Sequence, residues 1–168
     1  VTTRLGENHY IMTTTTGGAA TVMSKLEDFL QTEWPELNVY LTSVTDHFAT
    51  ISVCGPNSKK ILEKVTQNID YSDSNFPHMS FKNGLIDKIN CRVMRISFTG
   101  ELSYEINVQA NYGQSVWEKC FAAGKEYGIT PYGTETMHLL RAEKGFIIVG
   151  QETDGTVTPV DLQMDWII

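Results

Sequence analysis

Two carboxylates in one short stretch are the first candidates for chemistry. In "MRISFTGELSYEINV", residues 94–108, Glu101 stands at a turn and Glu105 follows within a strand-like run. Alternation puts Ser103, Glu105 and Asn107 on one face, and Leu102, Tyr104, Ile106 and Val108 on the other. A carboxylate in that place has two uses. It can accept parallel N–H bonds from a ligand and fix the ligand's orientation. It can also form a surface ion pair with Arg95 on the preceding strand, worth about 0–1 kcal/mol. The pattern alone leaves both open.

A second candidate is "TTTTGGAA", in which Thr13 to Thr16 lead from a strand through Gly17 and Gly18 into a helix. Paired glycines let a ligand approach the backbone closely, and a helix start offers free N–H donors. The plainer use of Thr16 is as a helix cap. Arg141, in "HLLRAEKG", either covers core with its aliphatic stem or meets an anion.

Several chemistries have no support. His9, His47, His78 and His138 lack metal-ligand spacing, and Cys54, Cys91 and Cys120 are far apart with no CxxC, so no metal site is expected. No GxSxG elbow, GxGxxG turn or GxxxxGK loop occurs. A net charge of −7 argues against nucleic acid as a partner, since phosphate binding needs a basic surface. No apolar run approaches membrane-spanning length, so no membrane partner is expected. The odd, dispersed cysteines fit a reducing cytoplasm.

The elements that must position these residues read as follows. Strands are expected at 9–15, 39–44 and 48–53, and as a hairpin at 91–98 and 102–108. Helices are expected at 19–32, with Val22, Met23, Leu26, Phe29 and Leu30 inward, and from Pro56 through Val65. Two more helices are expected at 112–127, with Val116, Trp117, Cys120, Phe121 and Ala123 inward, and at 134–144. The polar stretch 66–83 reads as a long loop or lobe boundary, and "FIIVG" as a short buried strand. The fold class is α+β, a mostly antiparallel sheet with helices packed on one side. The chain has 168 residues, begins without Met and ends on the apolar "DWII", which reads as a fragment of a longer polypeptide.

Taken together, "RISFTGELSYEINV", "LLRAEKG" and "GQETDGTVTPVDLQMDW" resemble the folate-binding aminomethyltransferase family, typified by the T-protein of glycine cleavage. The strings "TTTTGGA", "GITPYGTE", "MHLLRAEKGFIIVGQ" and "TDGTVTP" are similar to one branch, the C-terminal folate domains of heterotetrameric sarcosine oxidase alpha subunits. The resemblance runs along essentially the whole chain. It implies the aminomethyltransferase folate-binding fold, present in part, and tetrahydrofolate as the cofactor. It implies that Glu105 holds the pterin edge, that Glu101 is the turn acid and that Thr15 and Thr16 line the folate pocket, with Arg141 a further folate-site residue. Met137 departs from the T-protein pattern, which has an arginine four residues before the position of Arg141; this makes direct glycine cleavage a weaker alternative. A non-catalytic folate-fold module is a third reading. The family's catalytic aspartate lies in a segment preceding this chain, so no catalytic residue is assigned within it. The implied reaction captures the one-carbon unit of oxidised sarcosine as methylene-tetrahydrofolate. Flavins and NAD would belong to other domains, and the partners would be the other oxidase subunits.

Overall fold

The computed structural model describes residues 1–168, apart from the side chain of residue 167. Its centre is an antiparallel sheet of four strands: β3 (Phe48–Cys54), β6 (Ser103–Gln109), β5 (Ile89–Met94) and β4 (Phe81–Ile86), neighbours in that order. A separate hairpin pairs β1 (Thr2–Gly6) with β2 (His9–Met12). The helices are α1 (Ala19–Thr32), α2 (Ser58–Val65), α3 (Gly113–Gly124) and α4 (Thr134–Glu143). The expected α+β class and antiparallel pairing both hold.

One face of the large sheet carries the core. Ile51 and Val53 of β3, Tyr104, Ile106 and Val108 of β6, and Cys91 and Val93 of β5 alternate inward and meet Ile61 and Leu62 of α2 and Val116 and Cys120 of α3. Period-2 and period-3.6 stripes thus bury against each other, which is what fixes two helices on one side. Tyr71 and Phe76 complete this core, their rings stacked obliquely and edge-on around Tyr104 at centroid distances of 5.4–5.6 Å. Both belong to the polar stretch expected as a loop or lobe boundary at 66–83. That stretch is sewn into the sheet: Gln67 bridges to Leu85, and Phe81 begins β4. Gly84 permits the approach, since an added Cβ would come within 2.7 Å of the Gln67 carbonyl oxygen.

Four local expectations need correction. The segment 39–44 is not a strand; no other strand lies beside it, and Tyr40 is 90% exposed. The "FIIVG" segment is not a strand either, and Val149 is 84% exposed. Trp117 lies outward, 47% exposed, although its helix forms as expected. The expected tight hairpin around Gly100 is not tight. Arg92, Val93 and Met94 pair with Asn107, Ile106 and Glu105, and residues 95–102 form a wide excursion between the strands. The tight hairpin is instead β4–β5, closed at Asp87-Lys88 with Asp87 at φ 53°.

Candidate functional site

The register of the strands builds the site. On the face turned away from α2 and α3, cross-strand partners form rows: Cys54 with Ser103; then Ser52, Glu105, Met94 and Phe81; then Thr50, Asn107, Arg92 and Asn83. Successive rows are about 6.5–7 Å apart along the strands. This face is polar in sequence and unevenly covered: Ser103, Asn107 and Met94 are buried, with Thr3 of the β1–β2 hairpin reaching the Met94 sulfur at 3.9 Å, while Thr50, Ser52 and Asn83 are exposed. The sheet therefore has one dry, covered face and one polar face that is only partly closed.

Glu105 is near the middle of the polar face, on a strand flanked by β3 and β5. Burial pushes its carboxyl pKa up, and the Val1 amino group acts weakly in the other direction. Among the described residues none donates a side-chain hydrogen bond to it. The surface ion pair with Arg95 does not form. Met94, not Arg95, is the register partner of Glu105, so Arg95 leaves the sheet on the other side. There its Nη1 donates to Asp73 at 2.6 Å and to the Phe76 carbonyl at 2.7 Å.

Beside Glu105 runs a hydroxyl and thiol strip that sequence reasoning missed. Cys54 Sγ lies 3.3 Å from the Tyr132 hydroxyl, and Ser52 Oγ lies 3.4 Å from Ser103 Oγ. Burial, the Cys54 contact and the nearby Glu105 charge push the Tyr132 phenol up to about 12, so it stays protonated. Ser52, Cys54, Tyr132 and Met137 also line a cavity of about 500 Å³ along the free edge of β3. Tyr132 carries no local signal; only the path of 128–133 back to β3 brings it there.

The other expected residues sit at the margins of this face. Thr15 and Thr16 are exposed at a 3₁₀ turn leading into α1, and Gly18, not Thr16, is the helix N-cap, with no side-chain cap bond. Their strand is tied to the site through Thr13, which exchanges backbone bonds with Val1 at 2.8 and 2.9 Å. Glu101 pairs with Lys144 at 3.1 Å, and the Lys144 stem lies against Gly100, whose φ of 78° and lack of a side chain allow the contact. Arg141 is buried, and its donors go to Glu152 at 2.7 Å, Gln151 at 3.0 Å and the Phe146 carbonyl at 3.0 Å. It organises the turn after α4. Among the described residues no cluster of His, Cys, Asp or Glu is suited to hold a metal, and no helix is long and apolar enough to cross a membrane.

Residues 1–168 match, along their whole length, the family described as the GCVT N-terminal domain. The chain belongs to this family. The GCVT domain is 56% identical to the sarcosine oxidase subunit alpha of Corynebacterium sp. (strain U-96), over 100% of its own length and 18% of that relative's. It is 44% identical to the subunit of the same name from Rhizobium meliloti (strain 1021), over 96% of its length and 16% of the relative's. It is 32% identical to the aminomethyltransferase of Halothermothrix orenii, over 74% of its length and 34% of the relative's. The GCVT domain thus spans under a fifth of each of these two sarcosine oxidase subunits.

Proposed function

We propose that this GCVT domain is the tetrahydrofolate-binding part of a sarcosine-oxidase-type alpha subunit, with Glu105 as the pterin clamp. One observation carries the reading: Glu105 is a half-buried carboxylate on the polar face of the sheet, without a side-chain donor of its own among the described residues. Such a group is costly to keep unless something supplies N–H donors, and the amino-pyrimidinone edge of a pterin has adjacent ones. The other groups support it. Lys144 holds Glu101 and with it the excursion that precedes β6. Arg141 holds the turn after α4. Thr15 and Thr16, exposed at the turn before α1, are assigned to the folate pocket by the family resemblance alone.

A reduced folate bound here supplies the nucleophilic nitrogen that takes up a one-carbon unit, as methylene-tetrahydrofolate. The domain's own contribution is position: Glu105 fixes the ring. Oxidation of sarcosine, with its flavin and dinucleotide, belongs to other domains or to partner subunits. The free thiols of Cys54, Cys91 and Cys120 suit a cytoplasmic setting. Glycine cleavage is the weaker alternative, because Met137 stands where the T-protein pattern has an arginine.

Titration calorimetry with tetrahydrofolate tests the clamp. Glu105→Gln keeps the shape but removes a charge-assisted acceptor, so affinity falls by roughly 10- to 100-fold. Unchanged affinity overturns the assignment. Sarcosine-dependent formation of methylene-tetrahydrofolate by the oxidase that carries the domain, lost in the same variant, tests the reaction.

A further inference from the structure

The two edges of the large sheet end differently. At the β4 edge Gln67 exchanges both backbone bonds with Leu85, at 2.7 and 3.1 Å. The β3 edge has no such partner. Gly55 N–H donates to the Leu102 carbonyl at 2.8 Å, in register with the β3–β6 ladder. Bonded and non-bonded pairs alternate along an antiparallel ladder. Ile51 and Val53 therefore bond β6, and Thr50, Ser52 and Cys54 turn their N–H and C=O groups outward. Among the described residues no backbone group bonds these outward groups.

Thr50, Ser52 and Cys54 all line the cavity of about 500 Å³. Its other bank is the segment 128–133, which holds Pro131 and touches β3 through the Tyr132 hydroxyl on Cys54 Sγ. Between the banks the walls include Ile61, Trp117, Phe121 and Met137. Trp117, 47% exposed, is the apolar residue that helical period places inward and the fold leaves beside this groove. Among the described residues no Asp, Glu, Lys, Arg or His lines it.

Open sheet edges are normally blunted by charge, proline or a bulge. The β3 sequence "FATISVC" has no charge and no proline, and its register with β6 is unbroken. Three successive outward residues present a donor and an acceptor each, over a span on the order of 13 Å. A single ring fills one such pair. An extended backbone repeats at the same spacing and fills all three.

We propose that the free edge of β3 and its groove form a docking site for an extended, uncharged peptide segment of another protein chain, added to the sheet as a fifth strand. Main-chain bonds to Thr50, Ser52 and Cys54 hold the segment, and alternate apolar side chains pack on Trp117 and Phe121. A second copy of this chain is the poorer fit, because its own 128–133 bank would meet this one before the two β3 edges could pair.

The probe is the peptide acetyl-Val-Thr-Val-Thr-Val-amide, titrated onto the whole chain and followed by residue-resolved hydrogen exchange. Without peptide, the amides of Thr50, Ser52 and Cys54 exchange fast while those of Ile51 and Val53 are protected. Saturating peptide slows the outward three by about 10-fold or more and leaves the inward two unchanged. Ser52→Pro removes one outward N–H without touching a ladder bond to β6, and weakens the peptide by about 10-fold. Trp117→Ala does the same from the apolar side, whether or not the proline variant folds. A peptide with lysine in place of valine binds at least about 10-fold more weakly. No binding of the valine peptide overturns the site, and so does binding without the alternating protection. Protection that grows with chain concentration alone gives the edge to a second copy and overturns it. Displacement of the peptide by tetrahydrofolate makes the groove part of the folate site and overturns it as well.

Discussion

The stretch from β3 to the end of α3 and the two flanks around it are built differently. Among the described residues every member of the hydrophobic core lies between Ile51 and Cys120. The N-terminal flank includes α1, fourteen residues long, which has no fully buried side chain. Among the described residues of the C-terminal flank the one buried side chain is Arg141. Tyr40, Val149 and Trp166 are at least 75% exposed, so the flanks leave apolar surface uncovered. The central unit is held by burial, and the flanks by particular polar contacts. The polar face of the sheet is the seam between them. Ligands favour such seams, where convergent polar groups lie beside an apolar scaffold.

The largest effect that tests this contrast is a truncation in the core. Ile106→Ala, at a fully buried site, costs about 2–5 kcal/mol, while Leu26→Ala on half-buried α1 costs about 1 kcal/mol. Urea unfolding of both variants measures the gap; equal losses would mean that α1 belongs to the same cooperative unit. Arg141→Met comes next. It leaves Glu152 and Gln151 without their donor, costs about 1–3 kcal/mol, and loosens 146–152 before the sheet. Hydrogen exchange resolved by residue should show protection lost in that turn and kept in β5 and β6.

Glu105→Gln acts in the opposite direction. The folded-state pKa of Glu105 is raised, so the native state holds its proton more tightly than the unfolded chain does. Stability therefore falls as pH rises from the unfolded carboxylate range through the raised folded value, and the penalty is fully present above that value. The glutamine variant should melt higher at pH 7, by up to a few degrees, and lose that part of the pH dependence. Calorimetric scans between pH 4 and 8 check it. A gain in stability alongside a loss of folate affinity marks a residue that serves binding at the expense of folding. The smallest effect is expected at the rim. Glu101→Gln removes a partly exposed ion pair with Lys144, worth about 0–1 kcal/mol and weakened by salt.

The local parts of this protein were legible in its sequence. The helix at 19–32 appears with those bounds, and α4 stops just short of Gly145, which takes the left-handed conformation beyond its end. Apolar spacing and terminal residues act within a few positions, so they can be read from the chain alone. The alternation in "SYEINV" likewise placed Ser103, Glu105 and Asn107 on one face, and that holds.

Pairing and covering decided the rest. Strand composition at 39–44 and in "FIIVG" came to nothing, because a strand exists only where another edge is there to receive its hydrogen bonds. The polar run at 66–83 hid Tyr71, Phe76 and the start of β4, whose burial depends on the distant Tyr104 and β5. For the site the difference was one residue of register. The sequence offered Arg95 as the neighbour of Glu105, and the β5–β6 alignment put Met94 there and Arg92 one row away, turned towards Phe48. A shift of one residue reverses the face of every side chain on a strand. Which charge stands near which is therefore set by strand pairing across the fold, and no local stretch of sequence contains it.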